Sequence, residues 1–410
     1  MKRIKITIGI FLLLVSFMVA AQEDLNNYLQ TAAEHNPGIK VKFNEYMAAL
    51  EIAPQVKALP DPVLAFGYFI SPVETRNGPM QFKLTASQMF PWIGTLKAKE
   101  NAAIQSAKAK FEAFEEAKSS LYNEVKASYF TIYFNQKAIA ITLENIDILE
   151  SFRKLANIKF EAGLVSAVDE YRIEIEIGEL ENQLALLKDK QLALEVMFNN
   201  LLNTNANEKV RIPEVLWTDD FPLSKQAALD SINQSNHQLL SLDFQQLALH
   251  YKQDIASSMG KPSFNIGLDY TVVGKGENKL AGTDAIVFPM VGISIPLYRN
   301  KYKAMVQEVV YQAAAKENQK IDKSNMLETL FEKSWKDYQD ANRRTLLYTS
   351  QLKLAQKSVR LLETEYATAN KNFEEILRME RKILKFNLEL EKARADKQAA
   401  IAFINYLMGK

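Results

Sequence analysis

The sequence predicts a mainly α-helical fold with a small β segment, built from one structural unit that is used twice. Three observations lead to this prediction: a coiled-coil seam in both halves of the chain, a very long helical stretch before each seam, and a pair of alternating strands before each long stretch. Each half is therefore expected to contain a first helix, two strands, a long helix and a shorter helix.

The coiled-coil seam is the clearest sign of the duplication, because its positions follow alternating steps of four and three residues. In the first half the seam consists of Leu180, Leu184, Leu187, Gln191, Leu194, Phe198 and Leu201. At an offset of about 206 residues the same spacing gives Phe386, Leu390, Ala393, Lys397, Ala400, Ile404 and Leu407. Even the polar exception recurs, since Gln191 corresponds to Lys397.

A long helix is predicted before each seam, from about Gly94 to Glu161 and from about Lys301 to Ala369. After Gly94 neither stretch contains proline or glycine. Each stretch has about 68 residues and would measure about 100 Å at 1.5 Å per residue. Helices of this length suit a coiled-coil assembly better than a globular domain.

A short break separates the long helix from the shorter helix in each half, and we interpret both breaks as the tips of helical hairpins. Gly163 is suited to end the first long helix, and Ser166 is suited to cap the helix that follows. In the second half Asn370 or Asn372 would serve these purposes, because asparagine both caps helices and tolerates the left-handed conformation.

The strands show apolar and polar residues in alternation. Residues 263–273 carry Phe264, Ile266 and Leu268 on one face and polar or small residues on the other. Residues 80–90 repeat this pattern, and residues 62–71 and 285–296 are the expected partner strands, although Pro289 weakens the last assignment. Turn-rich segments join each pair into a hairpin.

The chain divides into four segments by this interpretation. Residues 1–21 have the basic start, short apolar core and small residues of a cleaved secretory signal, and the apolar run is too short for a membrane-spanning helix. Residues 22–203 form the first repeat and residues 231–410 form the second. Residues 204–230 are the linker between them, which we expect to pack outside the helices.

The strands are long enough to cross an outer membrane when tilted. Four strands cannot form a closed barrel alone, and open strand edges are not tolerated in lipid. Two copies would give an eight-stranded barrel filled by its own side chains, whereas three copies would give twelve strands and a lumen. The prediction is a trimeric α-helical barrel topped by a 12-stranded transmembrane β-barrel, with four strands from each chain.

The signal sequence, the duplicated plan and the two hairpin tips resemble the TolC-like family of outer-membrane efflux proteins. Phe160-Glu-Ala-Gly163 fits the tip pattern of that family, whereas Tyr366-Ala-Thr-Ala369 departs from it at the last residue. Leu59-Pro-Asp-Pro62 and Gln88-Met-Phe-Pro91-Trp-Ile-Gly94 resemble the CzcC/CusC-like heavy-metal branch.

The resemblance implies a passive exit duct held in outer-membrane lipid, with a long periplasmic extension. Its partners would be two further copies of the chain, a periplasmic membrane-fusion adaptor and an inner-membrane pump of the RND type. The cargo stays open among metal ions, drugs and polypeptides. The alternatives are a periplasmic adaptor, which has a single hairpin and glycine-rich β-domains, and a purely structural coiled-coil scaffold, which needs no amphipathic strands.

The resemblance also implies that acidic side chains at the tips face the lumen. Glu375 matches one acidic position of the family, but Arg378 occupies the second, which puts a simple acidic ring in doubt. Glu374 lies beside Glu375, and Asp169 and Glu170 occupy the equivalent place in the first half. The simpler interpretation is that these acids stabilise helix N-termini. Trp92 is a candidate for the membrane interface or for packing at the barrel base.

Several classes of function find no support in the composition. The absence of cysteine excludes disulfides and thiolate sites, and the three histidines lack metal-ligand spacing. Lysine and arginine total 50 against 49 acidic residues, interspersed along the chain, so nothing indicates nucleic-acid binding. We find no catalytic signature and no motif for a cofactor, and we expect a protein that is not an enzyme.

Overall fold

The structure is a computed structural model that describes residues 23–217, 219–276, 282–368 and 373–410. The predicted signal sequence at residues 1–21 lies outside the described residues, as do Asn370 and Asn372.

Helices account for most of the described residues. In the first repeat they are α1 (described over 23–35), α2 (Pro37–Leu50), α3 (Ile52–Lys57), α4 (Thr95–Glu161) and α5 (Val168–Leu202). In the second repeat they are α6 (Lys225–Ser235), α7 (His237–Met259), α8 (Arg299–Thr368) and α9 (Glu374–Leu407). The long helices α4 and α8 have 67 and 70 residues, within a few residues of the lengths expected from the sequence.

The strands form one antiparallel sheet in the order β1–β3–β4–β5, with the short β2 paired to β3. Their bounds are β1 (Val63–Tyr68), β2 (Glu74–Thr75), β3 (Gly78–Phe90), β4 (Ser263–Val273) and β5 (Ala285–Ser294). The pairing of β3 with β4 joins strands from the two repeats. Pro289 lies on the edge strand β5, where the register between β4 and β5 shifts. At this position the missing N–H of proline does not interrupt the regular hydrogen bonds between the strands.

On β4 the alternation separates an exposed apolar face from a buried polar face, whereas β1 is exposed along its whole length. Phe264, Ile266 and Leu268 on β4 are 37%, 45% and 39% exposed, whereas Asp269 and Thr271 on the other face are 8% and 9% exposed. On that polar face Lys83 forms an ion pair with Asp269 at 2.7 Å, and Thr85 donates a hydrogen bond to the same carboxylate at 2.5 Å. The alternation predicted from the sequence is therefore present, with its polar side covered.

The chain divides into two compact units, each of which draws on both repeats. One unit comprises residues up to Val41 together with Glu115–Asn236 and Asn325–Lys410, and it contains the hairpin tips and the linker. The other comprises Lys42–Phe114 and His237–Ser324, and it contains the sheet.

The linker between the repeats is held by tyrosine hydroxyls from three helices. Tyr28 accepts a hydrogen bond from the backbone N–H of Arg211 at 3.0 Å, and Tyr338 accepts one from Phe221 at 3.2 Å. Tyr133 accepts a longer bond from the N–H of Leu216 at 3.4 Å. Helix α6 begins at Lys225, so the last part of the segment 204–230 is helical.

An asparagine before α2 and another before α7 bind the C-termini of the shorter helices in the same way. The Asn36 side-chain amide donates to the Leu201 carbonyl at 2.9 Å, and the Asn236 amide donates to the Leu407 carbonyl at 2.9 Å. The last carbonyls of a helix have no partner within the helix, so these bonds satisfy groups that would otherwise need water. The two hairpins thus end with the same kind of contact.

Candidate functional site at the hairpin tips

The turn of the first tip follows from the conformational freedom of glycine. Gly163 has φ +69°, its N–H donates to the Phe160 carbonyl at 2.9 Å, and the N–H of Leu164 donates to the Lys159 carbonyl at 2.9 Å. These two bonds form the Schellman motif that ends many helices, and it requires a left-handed residue at the position of Gly163. Gly163 thus ends α4.

Ser166 and two acidic residues follow this turn at the start of α5. The Ser166 hydroxyl accepts a hydrogen bond from the N–H of Val168 at 3.3 Å. Asp169 and Glu170 lie in the first turn of α5 and are half-buried. A carboxylate in the first helical turn is favoured by the helix dipole, which is consistent with the simpler interpretation of these two acids.

At the second tip Phe373 is fully buried immediately before α9. Its ring lies 5.5 Å from that of Phe152 and 5.2 Å from that of Tyr366. Glu374 and Glu375 then begin the helix with exposed side chains. Burial of the aromatic ring therefore fixes the point from which both acids project.

Arginines neutralise much of the acidic charge at the tips. Glu375 is ion-paired with Arg378, the residue that departs from the acidic pattern of the family. Arg172 lies 3.7 Å from Asp169 and 3.5 Å from Glu374, so it connects the starts of α5 and α9. Partial burial raises the pKa of Asp169, an effect opposed by Arg172 and increased by the nearby Glu374.

Beneath these charged groups lies an apolar cluster that joins both hairpins. Its members are Leu149, Ala156, Ile173, Ile177, Leu180, Tyr366, Phe373, Ile376 and Leu377. Polar contacts cross its boundary: Lys159 donates to the Tyr366 carbonyl at 2.6 Å, and Arg381 binds the buried Glu176 at 2.6 Å. The tips are therefore held together by packing as well as by charge.

The structure brings together only part of the predicted set of acids. Asp169 and Glu374 both lie beside Arg172, and Glu375 is paired with Arg378 of its own helix. Among the described residues, Glu170 contacts none of the other candidate tip residues. Sequence reasoning missed Arg172, although the offset of about 206 residues aligns it with Arg378. Lys159 and the pair of Glu176 with Arg381 gave no signal in the sequence.

Trp92 lies at the junction between β3 and α4 and is half-buried. Its ring stacks on Phe264 with centroids 6.3 Å apart, and the Lys261 ammonium lies 5.4 Å from its centroid. An aromatic ring covered by a cation is a common arrangement at the edge of an apolar surface.

The described ranges contain neither a membrane-spanning helix nor a cluster of metal-ligating side chains. No helix there combines the length and apolar composition needed to cross a membrane. Within the same ranges, no group of three histidine, aspartate or glutamate side chains could hold a metal ion.

Comparison with known proteins gives one family and several similar structures. Residues 28–204 match the model of the family described as outer membrane efflux protein. No curated protein sequence matches.

The chain is similar to the outer-membrane channel OprN, with 16% identity, a TM-score of 0.78, and 94% of this chain and 90% of that one covered. It is also similar to the outer membrane protein VceC from Vibrio cholerae, with 14% identity, a TM-score of 0.78, and 95% and 97% coverage. The comparison with CusC gives 15% identity, a TM-score of 0.77, and 94% and 92% coverage.

The structural similarities establish the fold over nearly the whole chain, and the family model adds a match in sequence. The resemblance drawn from the sequence is confirmed: residues 28–204 match the outer membrane efflux protein family, and the fold of the described chain is that of the channel structures to which it is similar.

Proposed function

We propose that the protein is the outer-membrane channel of a tripartite efflux system, a passive trimeric duct for substrates delivered by a pump and an adaptor. The observation that carries this proposal is the central strand β4, whose apolar side chains are exposed while its polar residues Asp269 and Thr271 are buried. A water-soluble sheet has the opposite arrangement, whereas a membrane barrel turns its apolar face to lipid and its polar face inward.

The two edge strands support association with further copies. Leu64 and Phe66 on β1 are 70% and 67% exposed, and Ile286 and Phe288 on β5 are 65% and 70% exposed. Lipid cannot satisfy the free backbone groups of such edges, so β5 of one copy would pair with β1 of the next. Three copies of the four-strand path β1–β3–β4–β5 give the twelve strands of a barrel with a lumen.

The helical unit supports association independently of the sheet. On α8, Leu347, Leu354 and Leu361 recur every seventh residue and are 49%, 62% and 67% exposed. On α5, Tyr171 and Ile175 are 61% and 63% exposed. A heptad stripe that is exposed in one chain is typical of a coiled-coil contact with another, and contacts between α8 and α5 of neighbouring copies would close a ring of helices.

The duct also explains the fold better than the adaptor does. An adaptor has one helical hairpin, whereas this chain has two, α4–α5 and α8–α9. OprN is an outer-membrane channel and CusC forms a transmembrane channel, and we propose the same location for this chain after removal of residues 1–21. The identities to OprN and CusC are almost equal, so the two similarities do not narrow the cargo.

Within this duct we propose the tips as the gate, with Asp169, Glu374 and Glu375 facing the lumen. Three-fold symmetry would repeat each carboxylate around the pore and attract cations. Arg172 and Arg378 offset part of that charge, so the expected cation preference is moderate.

Planar-bilayer recordings of the purified protein test both parts of the proposal. We expect stepwise conductance with a preference for cations, and we expect the double variant Glu374→Ala/Glu375→Ala to reduce that preference. Glu317→Ala, at an exposed position of α8 outside the tips, is the matched control. Absence of any conductance would contradict the duct, whereas normal conductance with unchanged selectivity would assign both acids to stabilising the helix N-terminus.

A further inference from the structure

A buried carboxyl group lies between the two hairpins, at Glu380 on α9. Glu380 is only 7% exposed, and it lines a void of about 10 Å³ together with residues of α4, α5 and α9. A void of that size has room for about one water molecule, so water cannot build a hydration shell around an ionised carboxylate there. Its position contrasts with Glu374 and Glu375, which project into solvent.

The charged neighbours of Glu380 do not neutralise it. Helix α5 contributes Glu176, whose carboxylate already holds the Arg381 guanidinium through bonds of 2.6 and 2.7 Å. Helix α8 contributes Glu363, another negative charge, and α4 presents only uncharged residues to the void, Asn145, Ile148 and Leu149. Across the described ranges, no residue offers Glu380 a hydrogen bond within normal distance or a positively charged partner.

Burial, together with repulsion from Glu363, raises the pKa of Glu380 to about 7. A carboxyl group in solvent ionises near pH 4. The side chain therefore changes charge near neutral pH.

We propose that Glu380 is a proton-operated packing switch between the hairpins: the neutral acid fits the small void, and the ionised form forces the contact between α5 and α9 to loosen. An ionised Glu380 can be hydrated only if the apolar residues beside the void, Leu180 and Leu377, move apart and admit water. The packing switch needs no pore. Only the further idea that this switch controls the gate rests on the proposed function.

The direction of the effect follows from proton linkage. The pKa of Glu380 is raised in the packed state, so protonation of Glu380 stabilises the packed state. This stabilisation is complete below the pKa of the opened state, and it is lost as pH rises through about 7. Between pH 6 and pH 8 the equilibrium for local opening is expected to shift by roughly tenfold toward the open form.

Hydrogen–deuterium exchange of the full chain in detergent, corrected for the intrinsic effect of pH, tests the switch without requiring channel activity. In the wild type, protection of the tip-proximal parts of α5 and α9 should fall roughly tenfold from pH 6 to pH 8. Glu380→Gln should keep the protection seen at low pH in both conditions. Glu363→Gln should move the midpoint to lower pH, and Glu181→Gln, at an exposed position of α5, should behave as the wild type.

Equal protection of the wild type at both values of pH would overturn the proposal, and so would a pH dependence that survives in Glu380→Gln. If Glu380→Gln fails to fold, the Glu363→Gln variant tests the proposal instead. A pH midpoint of protection that is the same in Glu363→Gln and in the wild type would assign the titration to another group and overturn the proposal. If hydrogen exchange shows the switch but bilayer recordings show no conductance, this inference stands and the proposed duct is rejected.

Discussion

The two repeats place a polar side chain at the same position of their coiled-coil seam and satisfy it differently. In the first repeat the Asn135 amide of α4 donates to the Gln191 side-chain oxygen at 3.0 Å. In the second, the Lys397 ammonium, 6% exposed, binds the Asp220 carboxylate of the linker at 2.6 Å. The first solution is internal to its hairpin, whereas the second ties the linker to α9.

A difference at one seam position thus changes the partner of a polar side chain while the helices around it stay the same. Both seams keep their apolar spacing, and Tyr133 and Tyr338, at nearly equivalent positions, both accept a backbone hydrogen bond from the linker. Ala167 corresponds in the same way to Phe373, so one tip depends on the turn at Gly163 and the other depends on a buried ring.

The largest expected effect comes from the buried ring of the second tip. Phe373→Ala removes a side chain with no exposed surface and should lower the free energy of unfolding by about 3 to 5 kcal/mol, since the cavity cannot fully collapse. Urea unfolding followed by circular dichroism measures the change. Phe160→Ala, where the ring is 44% exposed, is the control and should cost about 1 kcal/mol or less. Equal losses in both variants would reject the anchoring role of Phe373.

A smaller effect is expected from the charge pair that distinguishes the second seam. Asp220→Ala should lower the free energy of unfolding by about 1 to 2 kcal/mol, because it leaves the buried Lys397 ammonium without its carboxylate. The effect is limited because the Asp220 side chain is exposed to water, which screens the ion pair. Lys397 holds the pKa of Asp220 below its usual range, so this stabilisation is present above pH ~4 and is lost as pH falls through the lowered value.

The matched comparison for that pair is Gln191→Ala in the first seam. It removes the hydrogen bond from Asn135 and the bond that Gln191 donates to Glu195 at 2.8 Å, and it should cost about 1 to 2 kcal/mol with a weaker dependence on pH than Asp220→Ala. Acid titration of the unfolding free energy separates the two variants. If Asp220→Ala retains the full acid sensitivity of the wild type, the pair does not stabilise the second repeat.

The smallest effect concerns the turn of the first tip. Gly163→Ala should destabilise the protein by about 1 kcal/mol, because the residue has φ +69° while an added Cβ would meet no atom within 4 Å, so only backbone strain is introduced. Gly178→Ala within α5 also meets no atom, but it should stabilise by about 0.5 to 1 kcal/mol as a helical glycine. Changes of the same sign at both positions would contradict the left-handed turn.

The sequence predicted the elements whose residues repeat at a regular period. The alternation in residues 263–273 and the proline-free stretch after Gly94 gave β4 and α4 almost to the residue. The start of α6 at Lys225 was missed, because its short amphipathic pattern follows a segment of mixed polarity. The periodicity of the sequence indicates which face of an element is apolar, but it does not identify contacts with residues distant in the chain.

For the same reason the sequence located the tips but not their contacts. The polar exception at Lys397 was visible, yet nothing local identifies Asp220 as its partner. Arg172 and Glu374 belong to different repeats, and their contact depends on how the hairpins pack. The burial of Glu380 depends on three helices at once, so spacing along α9 could not distinguish it from the exposed acids nearby.

The central claim, that the chain is one third of an outer-membrane duct, is tested most directly by the mass of the protein extracted from outer membranes in detergent. Light scattering corrected for bound detergent should give a particle of three chains, because both the sheet edges and the exposed stripe on α8 require neighbours. A monomer that is soluble without detergent would contradict the claim.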